Sequence, residues 1–129
     1  PTIYTECPAF RRLNAGAVPV YQRGVRNVMR VLGMLDGEIE GPPSTLSLLD
    51  DGKPECNVPA TVSGFFLPER NVLDRVAAGE RLGAVLDLTG AEAQVLVAPT
   101  DGYVFLRQWR HTAHAGAGNL YTIMKEFTP

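Results

Sequence analysis

Two stretches decide how this chain folds: ATVSGFFLPERNVLDRVAAGERLGAV (60–85) and APTDGYVFLRQWRHTAHAGAGNLYTI (98–123). Laid over one another at a constant offset of 38 positions, without a gap, they match Ala60 with Ala98, Gly64 with Gly102 and Phe65 with Tyr103. Leu82 then falls on Leu120 and Val85 on Ile123. Each stretch has an extended segment, a glycine where the chain must turn tightly, an irregular strand, a second glycine turn and a closing apolar strand. Neither could bury an apolar face alone. The repeat therefore predicts two β-rich half-units paired into one small β-sandwich or barrel over 58–129. Asp101-Gly102 and Thr89-Gly90 are the clearest turn signals, and Phe65, Phe66, Tyr103 and Phe105 are expected in the core.

Upstream the texture differs. DGEIEGPPSTLSLLDDGKPECN (36–57) holds adjacent prolines, glycines and acids and reads as a linker, which Leu46, Leu48 and Leu49 could pin in its middle. Before it, Val18, Tyr21, Val25, Val28, Met29, Leu32 and Leu35 recur at helical spacing, with Arg23, Arg26, Asn27 and Arg30 elsewhere on the wheel. These predict one amphipathic helix over about 15–34, capped by Asn14. Pro19 and Gly24 strain it: Pro19 marks its true first turn, and Gly24 would permit close packing on a sheet. Thr2-Ile3-Tyr4-Thr5 reads as a short buried strand. A strand and one helix cannot bury their own apolar faces, so 1–35 is expected to be the last strand and helix of a layered α/β domain. Residue 1 is Pro rather than Met, and a longer polypeptide is expected.

The 129 residues are 45% hydrophobic, with a formal net charge of -2. Such a balance offers no basic field to draw in phosphates, so neither nucleic acid nor an anionic membrane surface is an expected partner. No apolar run approaches the roughly 18 to 20 residues of a spanning helix, and the N-terminus lacks the pattern of a signal peptide. A soluble, cytoplasmic protein is expected. Cys7 and Cys56 lack C-x-x-C spacing and read as reduced thiols.

Paired β half-units of this kind resemble the biotinyl/lipoyl carrier domain, a flattened barrel that bears its cofactor on a lysine in the hairpin between its halves. The matching stretch here, LDLTGAEAQV, contains no lysine; the chain's lysines are Lys53 and Lys125. The resemblance thus implies the fold without bound lipoyl or biotin.

The whole chain resembles a second family. PTIYTECPAF, then RGVRNVMRVLGML, then a β-domain with APTDGYV near its end, is similar to the C-terminal third of the succinylglutamate desuccinylase/aspartoacylase family. That resemblance implies a zinc-dependent amidohydrolase with a carboxypeptidase-like catalytic domain, whose earlier portion would span roughly 200 residues. Its expected substrate is an N-acyl amino acid or similar small amide. It implies that the strand-end glutamate, Glu6, is the catalytic carboxylate, which takes a proton from the attacking water and delivers it to the leaving amine. Without the resemblance, Glu6 is an exposed strand-end acid or one paired with Arg11 or Arg12. Those two arginines are candidates for holding a substrate carboxylate, for which a planar guanidinium is suited. Where the family carries glycine after the glutamate, this chain has Cys7-Pro8-Ala9-Phe10, which would reshape the pocket and alter the choice of substrate.

The family's zinc ligands, a His-x-x-Glu pair and a second His, have no match here. His111 and His114 lie far downstream, at a spacing that points them to opposite sides of a strand. No metal is expected in this chain, and the chain alone is expected to be inactive. Cys7 lacks a nearby histidine and reads as a pocket-lining thiol. Trp109, between Arg107 and Arg110, reads as a packing aromatic with charged flanks. A homo-oligomer is possible, because a lone helix would expose its apolar face. The alternative function is a non-enzymatic β-barrel module for binding or assembly, with the Glu6 segment a mere scaffold strand.

Overall fold

The computed structural model describes residues 4–5, 14–42, 46–49 and 53–127. The chain separates into two units, Pro1–Ser44 and Thr45–Pro129.

In the first unit, helix α1 spans Ala17–Val31, shorter at both ends than expected. The Asn14 side chain accepts hydrogen bonds from the amides of Gly16 and Ala17 at 3.1 and 3.2 Å. Pro19 lies in the first turn, where no amide is needed. Gly33, at φ +69°, ends the helix: its amide reaches Arg30 O while Met34 N reaches Met29 O at 2.8 Å. Such paired bonds satisfy carbonyls that a helix end otherwise leaves open, and they need a residue that tolerates a left-handed conformation.

No residue of α1 is buried. Val25, Val28 and Leu32 are all exposed, forming an apolar face with no partner among the described residues. Tyr4 and Thr5, the described part of the expected strand, are not in a strand, and Tyr4 is 82% exposed rather than buried. A strand is held by the amides and carbonyls of a neighbour, and the described residues of this unit supply none. A Cβ added at Gly24 would meet nothing within 4 Å, so the close packing expected there is absent among the described residues. Gly24→Ala should therefore stabilise the helix in this chain by about 0.5–1 kcal/mol, read as increased helical circular dichroism on heating.

The second unit carries β1 (Leu48–Leu49), β2 (Asn57–Pro59), β3 (Gly64–Pro68), β4 (Arg75–Val76), β5 (Arg81–Leu86), β6 (Glu92–Val97), β7 (Gly102–Arg107), β8 (Thr112–Ala113) and β9 (Asn119–Glu126). They form two antiparallel sheets, β1-β9-β7-β4 with β2 also on β9, and β6-β5-β3-β8. The described strands make a sandwich, and no closed barrel is seen among them. Part of the stretch read as a linker belongs here: Leu48 and Leu49 pair with Glu126 and Lys125, and Asn57 pairs with Thr122.

The sequence repeat is a repeat of structure. Strand β3 pairs with β5, and β7 with β9, so that Phe66 opposite Val85 mirrors Val104 opposite Ile123. Strand β6 pairs with β5 as β2 pairs with β9, so that Leu96 opposite Gly83 mirrors Val58 opposite Tyr121. The short strands cross between halves: β4 joins β7, and β8 joins β3. This exchange is why neither half is complete alone. Val76 opposite Gly102 mirrors Ala113 opposite Gly64, an equivalence of 37 rather than 38 positions. The gapless alignment is thus corrected between β7 and β8. There β7 holds an extra residue at Phe105, a bulge, and the following loop is shorter.

Equivalent residues from both halves fill the core: Val58 and Leu96, Ala60 and Ala98, Phe66 and Val104, Leu82 and Leu120, Val85 and Ile123. Of the aromatics expected inside, Phe66 is buried, whereas Phe65 is 51% and Phe105 49% exposed and Tyr103 is half-buried. Neighbouring residues of a strand face opposite sides, so Phe65 and Phe66 cannot both enter the core. Phe65 instead shares the outer face of its sheet with Leu67 and Val95, which flank Ala84. The equivalent row on the other sheet is Leu106, Thr122 and Asn57, with Thr122 hydrogen-bonded to Asn57 at 2.8 Å.

Tyr121 breaks the symmetry, since its counterpart is Gly83. Its ring meets Phe66 edge to face at 5.5 Å, and its hydroxyl donates to Leu82 O at 2.8 Å. Burial pushes the phenol above its ordinary value of 10.0. A folded pKa above the unfolded one means stability is intact below pH 10 and is lost as pH rises from there. Thermal unfolding of the chain should accordingly show an alkaline loss of stability. Tyr121→Phe, less stable by about 1 kcal/mol at neutral pH, should lack the Tyr121 part of that loss.

Candidate active site

Glu6, Arg11, Arg12, Cys7 and Pro8 lie outside the described residues. The nearest described group is Thr5, whose hydroxyl lies 3.1 Å from that of Tyr21 on α1. This contact ties the residue before Glu6 to the N-terminal half of the helix, on the edge of its apolar face.

The polar face of α1 is taken up by the chain that follows it. The Asn27 amide group donates to Glu40 O at 2.8 Å and accepts from Glu40 N at 3.0 Å. Arg30 donates to Asn27 at 3.1 Å and pairs with the Glu40 carboxylate at 2.6 Å. Gly37 and Gly41 adopt positive φ, and a Cβ at either would press on a guanidinium, that of Arg30 at 3.3 Å or of Arg23 at 3.0 Å. The hydrogen-bonded Arg30 guanidinium, with smaller help from Arg26 and Arg23, holds Glu40 below the ordinary carboxylate range. This clasp therefore survives until the pH falls below that range. Asn27, Arg30 and Arg23 thus meet the 37–41 segment on the polar side of α1, leaving the apolar side open.

In the second unit, His111 and His114 are exposed, and the His111 carbonyl accepts Phe66 N at 2.9 Å. Among the described residues no three His, Cys, Asp or Glu side chains gather where they could hold a metal. Trp109 is 59% exposed, with the Arg110 guanidinium 5.1 Å from its ring centre, so the expected packing role is replaced by a surface cation–π contact. Cys56 is a half-buried thiol. At the tip of the hairpin between the halves, Asp87 accepts hydrogen bonds from Thr89 N, Thr89 Oγ1 and Ala91 N. These bonds, above all those from Thr89, lower its pKa. Leu88 and Thr89 stand at that tip, where an amine would be needed to carry a cofactor.

Three further ion pairs stand on the surface of this unit. Arg70 meets Glu80 at 2.9 Å, while Arg81 bridges Glu69 at 2.9 Å and Glu92. All three are exposed enough that each contributes little to stability.

Neither a protein-family model nor a curated protein matches the chain. Solved structures do. A succinylglutamate desuccinylase/aspartoacylase from Rhodobacter sphaeroides shares the fold over 91% of this chain and 37% of its own, at 24% identity and a TM-score of 0.77. The product-bound ectoine utilization protein EutE (DoeB) from Ruegeria pomeroyi is 25% identical over 87% of this chain and 34% of its own, with a TM-score of 0.74. An aspartoacylase family protein from Mesorhizobium loti is 20% identical over 88% of this chain and 34% of its own, with a TM-score of 0.69. The chain spans about a third of the length of these structures. The family resemblance read from TIYTEC, the α1 motif and APTDGYV is thus met again at the level of the fold.

Proposed function

We propose that this chain, with the fold of about a third of a succinylglutamate desuccinylase/aspartoacylase structure, is the C-terminal part of a zinc-dependent amidohydrolase that removes the acyl group from an N-acyl amino acid or related small amide. One observation carries the reading: solved structures of that family share the fold over 87–91% of the chain, in agreement with sequence motifs spread from Glu6 to Tyr103. The described residues do not fit a zinc ion, for no three candidate ligands come together, and the exposed His111 and His114 cannot supply a site. The metal would belong to the upstream part of the protein.

The role proposed for this chain's own residues is proton transfer and positioning. Glu6 accepts the proton of the attacking water and returns it to the nitrogen of the leaving amine, so that the carboxylate is regenerated. Arg11 or Arg12 pairs with a carboxylate of the substrate. The apolar face of α1, bare of buried residues, supports the reading as well. Such a face is usual where a helix covers a sheet, and costly to leave in water.

The test is hydrolysis of N-succinylglutamate and N-acyl-aspartate by this chain alone and by the chain joined to the coding sequence upstream of it. Zinc-dependent turnover by the longer protein, with none by the 129 residues, is the expected result. An upstream sequence lacking a His-x-x-Glu pair would overturn the reading in favour of a non-enzymatic β-module.

A further inference from the structure

Among the described strands, β1, β2, β4, β6 and β8 lie at sheet edges, and all but one of them are blunted. β1, β4 and β8 run for 2 residues each, and β2 for 3, ending in Pro59. Short edges and a proline give a second chain little to pair with. β6, at the edge of the four-stranded sheet, runs for 6 residues, Glu92–Val97. It contains no lysine, arginine, glycine or proline, and the carboxylate of Glu92 at its start is tied to Arg81.

The pairing of β6 decides which of its backbone groups face outward. Ala98, just after the strand, donates its amide to Glu80 O and accepts Gly79 N, both at 2.8 Å, so both of its polar groups point inward. Alternation directs those of Leu96 and Gln94 inward too, onto Gly83 and Val85 of β5, and turns the amides and carbonyls of Val95 and Val97 toward the open edge. No described strand lies on that side. The side chains of Val95 and Val97 are exposed as well, on the outer face that carries Phe65 and Leu67. The strand itself is held firm. Gln94 accepts Thr61 N at 2.8 Å and donates to Pro59 O at 3.0 Å, and an edge already fixed loses little freedom when it pairs.

The internal repeat supplies a comparison within the same molecule. Val97 is the equivalent of Pro59 on β2, as Leu96 is of Val58 and Ala98 of Ala60. Proline has no amide to offer a further strand, so one edge is closed at the position where the other is open. The fold accepts proline there because an amide at that position points away from the ladder.

We propose that β6 pairs antiparallel with β6 of a second copy of this chain, about a two-fold axis at Leu96, and so joins two four-stranded sheets edge to edge. Val95 then lies opposite Val97 of the partner subunit, and their outward amides and carbonyls exchange hydrogen bonds. Leu96 meets its own counterpart, and Gln94 meets Ala98 of the partner subunit. The stretch 94–98 is uncharged and matches itself in this register, so no like charges are brought opposite one another. That self-match selects a second copy over a foreign strand, and the contact closes at two copies. On the outer face the apolar row of Phe65, Leu67 and Val95 continues across the join. This interface is independent of the deacylase reading and of Glu6.

The experiment is sedimentation of the full chain over a concentration series, with amide hydrogen exchange read by nuclear magnetic resonance. A monomer–dimer equilibrium is expected. Exchange at the Val95 and Val97 amides should slow as the concentration rises, while that at Leu96 stays slow throughout. Val97→Pro, which removes one outward amide, should weaken association at least about tenfold, and it should fold normally, since Pro59 occupies the equivalent position. Val95→Lys, at an exposed site, should weaken association by a similar factor, because it sets a charge on an apolar edge. Val28→Glu, on the apolar face of α1, should associate like the parent chain. A chain monomeric at every concentration, a dimer that leaves exchange at Val95 and Val97 unchanged, or a dimer lost in Val28→Glu but kept in both β6 variants would each overturn the proposal.

Discussion

Gly64→Ala and Gly102→Ala should each destabilise the β-unit by about 3 kcal/mol or more, at the upper end of what overpacking costs. A Cβ at Gly64 would lie 2.1 Å from the carbonyl oxygen of Leu86, and one at Gly102 would lie 2.4 Å from that of Met124. Both obstacles are backbone atoms inside a paired strand, so neither can swing aside as a side chain could. Beside them stand Val85 Cγ1 at 2.9 Å and Ile123 Cγ2 at 3.0 Å, both from fully buried residues. The equivalent obstacles predict equal effects in the two halves. Gly79→Ala is the control: it has positive φ but open space around it, and should cost only about 1–2 kcal/mol. Denaturant unfolding of the three variants measures all of this. A Gly64→Ala protein as stable as the Gly79→Ala one would show that the strands close differently from the arrangement described.

Glu6→Gln, made in the longer zinc-bearing protein proposed above, should lower kcat by roughly 10²- to 10⁴-fold while leaving KM close to its original value. Glutamine keeps the size and hydrogen bonding of the carboxylate but cannot take a proton from water. The acidic limb of the pH–rate profile, which reports deprotonation of the general base, should disappear along with the activity. A structural role for Glu6 would lower stability and leave that limb in place. Retention of full activity in the glutamine variant would assign the proton transfer to another group.

The repeat was legible because both halves obey the same local demands. Gly64 and Gly102 occupy the same close approach to a strand carbonyl, and Leu82, Leu120, Val85 and Ile123 the same core. Helix α1 was legible from its spacing, its Asn14 start and its arginines. The aromatics were not. A run such as GYVFLR contains apolar residues on both faces, and the bulge at Phe105 shifts the alternation in a way composition does not reveal. The arginine face of α1 was similarly opaque, since its partners, Glu40 and the turns at Gly37 and Gly41, lie in a stretch that looks like linker.

For the candidate site the division is different. The case for Glu6 rests on the motif around it, and Thr5 to Tyr21 is the described contact nearest to it.

By itself, then, the sequence determined what depends on neighbours along the chain: the period of the helix, the close turns that call for glycine and the doubling of the β-unit. The tertiary structure alone decided which strands exchange between the halves, which of two adjacent aromatics is buried, and that Asn27 and Arg30 clasp Glu40. Those depend on contacts between residues far apart in the chain, where strand register and a single bulge settle the face to which each side chain belongs.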